Sequence, residues 1–239
     1  MFILDVLGKY GPYPKGNSAT SSYLIKTDAA AFTLDFGAGA FSKLALRLQP
    51  KDLSFMILTH THSDHTSDMG VMGYYLQRKN VKMTVYMPKP DREADALRFA
   101  SYGNCEFVWI DETATIKKGG LKITFVKLRH PVTNYGVRVE YNGKVFVYTG
   151  DTNTCDNLFV LLKNADYALM DACFLHKDWG EQKPHLSAML CARACEKSNV
   201  KLLMTHIDAD YDENDLVKEA KAYHDDSLVV EEGKEYDLE

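Results

Sequence analysis

Between Thr59 and His65 the chain reads Thr-His-Thr-His-Ser-Asp-His, which sets the imidazoles of His60, His62 and His65 and the carboxylate of Asp64 within six positions. Ring nitrogens crowded so closely repel one another once protonated, and a solvated polar loop, the plain alternative, gains nothing from the concentration. A borderline divalent cation such as zinc accepts both imidazole and carboxylate donors. The cluster therefore predicts a metal site, and the fold must be one that presents it at a cleft.

The flanking sequence places that cluster. Leu53 to Leu58 is an apolar run of strand length that ends where the cluster begins. Ser67 to Arg78 carries Met69, Met72, Tyr75 and Leu76 at helical spacing, so the donors lie in a loop between a strand's carboxyl end and a helix. Upstream, Phe2 to Leu7, Ser21 to Thr27 and Ala30 to Asp35 read as strands. Downstream, Met83 to Tyr86 reads as a strand, and Asp91 as the cap of a helix reaching Ser101. Lys122 to Leu128 resumes strand alternation, and Tyr135 to Tyr141 and Lys144 to Tyr148 flank Asn142-Gly143, a pair suited to a type I′ hairpin. Tyr167 to Met170 and Lys201 to Met204 read as strands on either side of a helix over Ala188 to Lys197, with Met189, Ala192 and Cys195 inward. Strands followed by helices, twice over, predict an α/β fold of two sheets with outer helices. The acidic end from Asp225 is expected to be a solvated edge or a frayed tail.

With 46% hydrophobic and 26% charged residues, the 239-residue chain can close one large core, and a single domain over 1–239 is expected. No apolar run is long enough for a membrane span, and the first residues lack the pattern of a signal peptide, so a cytoplasmic protein is expected. The five cysteines, Cys105, Cys155, Cys173, Cys191 and Cys195, lack the paired spacing of a thiolate zinc site and read as buried free thiols. A net charge of −5 argues against broad attachment to nucleic acid.

The pattern His-x-His-x-Asp-His resembles the signature of the metallo-β-lactamase superfamily, and other segments agree in order. Asp35 before Phe36-Gly37 resembles the family's early aspartate, and His130 its third histidine motif. Asp151 in Thr149-Gly150-Asp151 resembles the bridging carboxylate, and His206 after Leu202-Leu203-Met204-Thr205 the last histidine. The resemblance spans roughly residues 1 to 210 and implies a four-layer αββα sandwich. It also implies two divalent metal ions, zinc first with manganese or iron as alternatives. His60, His62 and His130 would bind one ion and Asp64, His65 and His206 the other, with Asp151 between. Each of these donors falls where the strand reading ends a strand. Asp64 would also orient a metal-bridging hydroxide as nucleophile. Asp35 reads either as a supporting carboxylate behind a ligand loop or as a plain turn residue.

Pro184-His185-Leu186-Ser187-Ala188 looks like the His-Ser/Thr-Ala segment of the ribonuclease Z branch, in which the histidine assists the departing oxygen and pairs with a glutamate. Asp171 occupies the corresponding place, one methylene shorter, and Pro184 and Leu186 differ from the usual neighbours. The resemblance thus makes Asp64, His185 and Asp171 the catalytic candidates and points to phosphodiester hydrolysis. His176 and His224 match no motif and read as surface residues. True β-lactamases usually carry cysteine where Asp151 stands, and oxygen-reducing relatives replace the position of His62 with glutamate. Thioesterases of the glyoxalase II type share the metal cluster but normally add a carboxyl-terminal helical domain, for which 33 residues after His206 are few. The protruding arm of transfer-RNA processing ribonuclease Z is replaced by a tight hairpin between His130 and Asp151. The expected substrate is a small or cyclic phosphodiester or a short oligonucleotide. Thioester hydrolysis and ribonuclease Z-like RNA processing are the alternatives; whole tRNA, a membrane partner and a non-enzymatic metal-binding protein are disfavoured, and a homodimer is left open.

Overall fold

The computed structural model describes residues 1–239 and contains two seven-stranded sheets. The first six strands, β1 (Phe2–Gly8), β2 (Ser22–Thr27), β3 (Ala31–Leu34), β4 (Phe55–Ile57), β5 (Met83–Pro88) and β6 (Cys105–Ile110), lie side by side in chain order. The second sheet follows the same rule with β7 (Thr115–Lys118), β8 (Leu121–Leu128), β9 (Asn134–Tyr141), β10 (Lys144–Tyr148), β11 (Tyr167–Asp171), β12 (Lys201–Thr205) and β13 (Ser227–Val229). Finally β14 (Glu235–Asp237) returns to pair with β1.

Each sheet is antiparallel in its first half and parallel in its second, the change falling at β3 and at β10. Parallel neighbours need crossovers, and helices supply them. On the first sheet these are α1 (Ala40–Ala45), α2 (Ser63–Thr66), α3 (Met69–Lys79) and α4 (Glu93–Ala100). On the second they are α5 (Asn157–Leu162), α6 (Ala188–Ser198) and α7 (Glu213–Lys221).

Alternation along the strands sorts the apolar side chains into three layers. Phe32 and Leu34 meet Val137, Phe146, Leu169 and Leu203 between the sheets. Met56 and Val85 face outward against Met69, Met72, Leu76 and Phe99. On the other side Met170 and Met204 face Leu161, Cys191, Cys195 and Leu216. The arrangement is the expected αββα sandwich. Asn142 and Gly143 both hold positive φ, 50° and 79°, as a type I′ hairpin between β9 and β10 requires.

Two expectations need correction and a third resolves between its alternatives. Asp91 caps no helix: Arg92 stands at the start of α4, and the Asp91 carboxylate accepts from the backbone N–H and hydroxyl of Thr133 at 2.5 and 2.9 Å. Those two donors tie together loops from different sheets, which a local cap would not. The acidic carboxyl end does not fray, because β13 and β14 pair into both sheets and Leu238 is buried between them; it is the solvated edge of the two alternatives, with Asp225, Asp226, Glu231, Glu235 and Asp237 exposed along two edge strands. All five cysteines are free, but Cys105 and Cys155 are only half-buried.

Candidate metal centre

The donors sit where strands of both sheets end at one rim, all but His130 in the parallel halves. His60, His62, Asp64 and His65 follow β4 and enter α2; His130 follows β8, Asp151 follows β10 and His206 directly follows β12. Such loops converge in space from distant sequence positions. His206, and Asp35 at the end of β3, adopt left-handed φ of 54° and 56°, uncommon for residues with a Cβ, so the surrounding structure imposes these turns. Gly150 also has positive φ (57°), and a Cβ there would lie 2.5 Å from Asn134 Oδ1 and 2.8 Å from Thr59 Oγ1. Only glycine lets the Asp151 turn press so closely onto the His60 loop.

The seven predicted ligands form two donor sets that share Asp151. In the first, His62 Nδ1 lies 3.2 Å from His60 Nε2 and 3.0 Å from His130 Nε2, while Asp151 Oδ2 is 3.5 Å and 3.8 Å from those two Nε2 atoms. In the second, Asp64 Oδ2 lies 3.6 Å from His65 Nε2 and 3.1 Å from His206 Nε2, and Asp151 Oδ1 is 3.0 and 3.2 Å from the same two nitrogens. Ligands at zinc distances of about 2.0–2.1 Å stand about 3.3–3.4 Å apart on a tetrahedron edge, so both sets match that spacing. His65 Nε2 and Asp151 Oδ1 are buried, and neither makes a hydrogen bond despite their proximity. Buried polar atoms are rarely left so, and a shared cation is the partner that suits them. The residues present therefore fit a pair of divalent ions.

The two sets differ electrostatically. Burial, with His60 close by, pushes His62 down to about 4, and burial pushes His130 down to about 3, so both offer free lone pairs at neutral pH. Burial also opposes charge on His65 and His206, but carboxylates led by Asp151 outweigh it and hold both well above the ordinary imidazole value. Positive charge is thus wanted most on the carboxylate-rich side.

Behind the ligands, Asp35 resolves in favour of support. Its carboxylate accepts from the backbone N–H of Thr59 at 2.7 Å, from the Thr59 hydroxyl and from Tyr148 Oη at 2.7 Å, and stands 2.7 Å from His65 Nδ1. It thereby fixes which nitrogen of His65 faces the cluster. Thr59 Oγ1 in turn contacts His60 Nδ1 at 2.9 Å.

His185 and Asp171 do meet: His185 Nδ1 lies 2.8 Å from Asp171 Oδ2, so the shorter carboxylate still reaches. The His185 ring stacks on His206 at 4.8 Å and its Nδ1 is 3.8 Å from Asp151. Burial disfavours its charge, but Asp171 overrides this and raises its pKa. His176 is not a bare surface residue; its ring stacks on Trp179 and its Nδ1 lies 3.1 Å from Ser187 Oγ.

Sequence reasoning missed Trp179 and Asn153. The Trp179 indole N–H lies 3.1 Å from both His185 O and Asn153 Oδ1, and the Asn153 amide donates to Gly180 O and Lys183 O at 3.2 and 2.5 Å. Asn153, two residues past Asp151, also donates its backbone N–H to Arg129 O beside His130. These residues strap the His185 segment to the ligand loops. One of only two tryptophans lying near His185 was the available signal.

Residues 32–207 match the model of the beta-lactamase superfamily domain. The chain belongs to this superfamily. It is similar to protein ML1173 of Mycobacterium leprae, with 30% identity over 99% of this chain and 88% of that one. It is also similar to the probable metallo-hydrolase YhfI of Bacillus subtilis, with 29% identity over 91% and 92% of the two chains. The crystal structure of YhfI superposes with a TM-score of 0.91 at 26% identity, covering 98% of each chain. Ribonuclease Z of Archaeoglobus fulgidus is 22% identical over 97% of this chain and 96% of its own. Superfamily membership and these relatives make the chain a metallo-hydrolase related to ribonuclease Z, as its motifs led one to expect.

Proposed function

We propose that this superfamily member is a dinuclear metal-dependent phosphodiesterase acting on small or cyclic phosphodiesters or short nucleic acid. His60, His62, His130 and Asp151 Oδ2 would hold one ion, and Asp64, His65, His206 and Asp151 Oδ1 the other. The donor chemistry favours zinc, with manganese or iron as alternatives. When bound, such a pair supplies Lewis acidity to phosphoryl oxygens and a nucleophilic water at neutral pH.

The observation that carries the phosphodiester reading is the His185–Asp171 pair at 2.8 Å, beside Asp151 and stacked on His206. With Nδ1 engaged by Asp171, His185 keeps Nε2 to deliver a proton to a departing alkoxide. A thiolate leaves without that help, so the pair has a task on an oxygen ester that a thioesterase lacks. Asp64 is the more exposed cluster carboxylate, 11% against 2% for Asp151, and orients the attacking water. A tight hairpin between His130 and Asp151 offers no arm to grip tRNA and supports a smaller substrate. The reading also takes residues 1–239 as one domain, supported by β14 pairing back onto β1, and a cytoplasmic setting, supported by five free thiols.

Protein of verified metal content should hydrolyse p-nitrophenyl phosphodiesters and nucleotide diesters faster than glutathione thioesters; the reverse ranking would overturn the phosphodiesterase reading. His185→Ala should retain metal and slow alkoxide-leaving substrates by about 10²- to 10³-fold, while p-nitrophenolate esters change little. Equal loss on both kinds of substrate would remove the acid role from His185.

A further inference from the structure

At the rim where the strands end lies a cavity of about 410 Å³ whose lining reaches Thr133 and Tyr135, a few residues past His130. Its walls come from the carboxyl ends of β5 and β6 (Lys89, Asp91, Trp109, Asp111), from Lys127 near the end of β8, and from Thr133 and Tyr135 just beyond His130. Trp109 is 49% exposed although it lies on a strand. An indole left open to water in a concave, mixed wall is the usual mark of a ligand surface rather than of a core.

The charges around it are unequally occupied. Asp91 is spent on Thr133, and Asp111 on the backbone N–H groups of Thr113 and Ala114 and the Thr113 hydroxyl. Lys89 and Lys127 remain as exposed cations on the rim. The Asp91–Thr133 tether fixes this wall to the segment that carries His130, so cavity and ligand loop keep one relative position.

We propose that this cavity is a nucleobase subsite, with Trp109 as its stacking surface and Lys89 and Lys127 as contacts for the adjoining sugar-phosphate. The inference rests on the phosphodiesterase reading and narrows it to nucleotide diesters. An aromatic face accepts any base, and flanking ammonium groups follow the backbone without reading sequence. A sugar phosphate or simple alkyl diester gains nothing from such a wall.

The test uses the metal-loaded full chain and two esters with the same leaving group, thymidine 5′-(p-nitrophenyl phosphate) and methyl p-nitrophenyl phosphate. Wild type should favour the thymidine ester in kcat/KM. Trp109→Ala should reduce that preference by about 5- to 100-fold, chiefly through KM, while hydrolysis of the methyl ester stays unchanged. Trp109→Phe, which keeps a stacking ring, should restore most of it, and a melting curve for each variant checks the fold. Equal rates on both esters in wild type, or a preference that survives in Trp109→Ala, overturn the subsite while leaving the phosphodiesterase reading intact. Hydrolysis of neither ester by metal-loaded protein overturns that reading, and the subsite with it.

Discussion

At the scale of single residues, the site depends on side chains that present two different atoms to two different neighbours. Asp151 directs Oδ2 at His60 and His130 and Oδ1 at His65 and His206, so one carboxylate belongs to both donor sets. His65 turns Nδ1 to Asp35 and Nε2 to the cluster, and His185 turns Nδ1 to Asp171. His62 faces the cluster through Nδ1 and belongs to the first set only. His62→Ala should therefore lower bound metal from about two ions to about one and reduce turnover by at least ~100-fold, more than loss of an outer partner does. Metal counting on dialysed protein checks this, and two tightly held ions in the variant would remove His62 from the ligand set. The donors that converge were legible because their residue types and order match a known pattern. Asp35 was ambiguous, since nothing local says that Thr59, His65 and Tyr148 all reach it. Whether Asp171 met His185 depended on a tertiary distance that no spacing encodes.

At the scale of elements, the segment between β11 and α6 shows how a loop becomes a fixed part of a site. It has only a 3-10 turn at His176–Asp178, yet it is pinned by Trp179 to Asn153, by Glu219 of α7 to the N–H of His176, and by the Ser187 cap of α6. Trp179→Phe keeps an aromatic ring but deletes the N–H donor, leaving His185 O and Asn153 Oδ1 without that partner. Stability should drop by about 1–3 kcal/mol, and turnover of alkoxide-leaving substrates by roughly 10-fold. In a His185→Ala background the same change should leave turnover untouched; a further loss there would mean that Trp179 acts other than through His185. Sequence patterns found the long alternating or helical runs but not this strap, whose order comes from side-chain bonds. They also missed β6, because exposed Val108 and Trp109 break its alternation, and β13 and β14, because short edge strands surrounded by acids read as tail.

At the scale of the whole molecule, the candidate metal centre lies across the seam between two sheets of like topology. His60, His62, Asp64 and His65 come from the first sheet, and His130, Asp151 and His206 from the second. Each donor set draws from both, so bound cations would add to the apolar layer and the few hydrogen bonds, such as Tyr148 to Asp35 and Thr133 to Asp91, that already join the two sheets. Ligands that bind only the folded state stabilise it by mass action, by about 4 kcal/mol at a thousandfold excess over Kd. For a chain of this size each kcal/mol moves Tm by roughly 2–4 °C, so complete chelation should lower Tm by roughly 8–16 °C and zinc should restore it. The donors lie on loops and the one-turn helix α2, outside the apolar layers, so the chelated protein should keep its far-ultraviolet circular dichroism and unfold in one transition at the lower temperature. An unchanged melting curve would mean that the cluster does not couple the sheets. Loss of secondary structure on chelation would mean that the core between them is too weak to stand without metal.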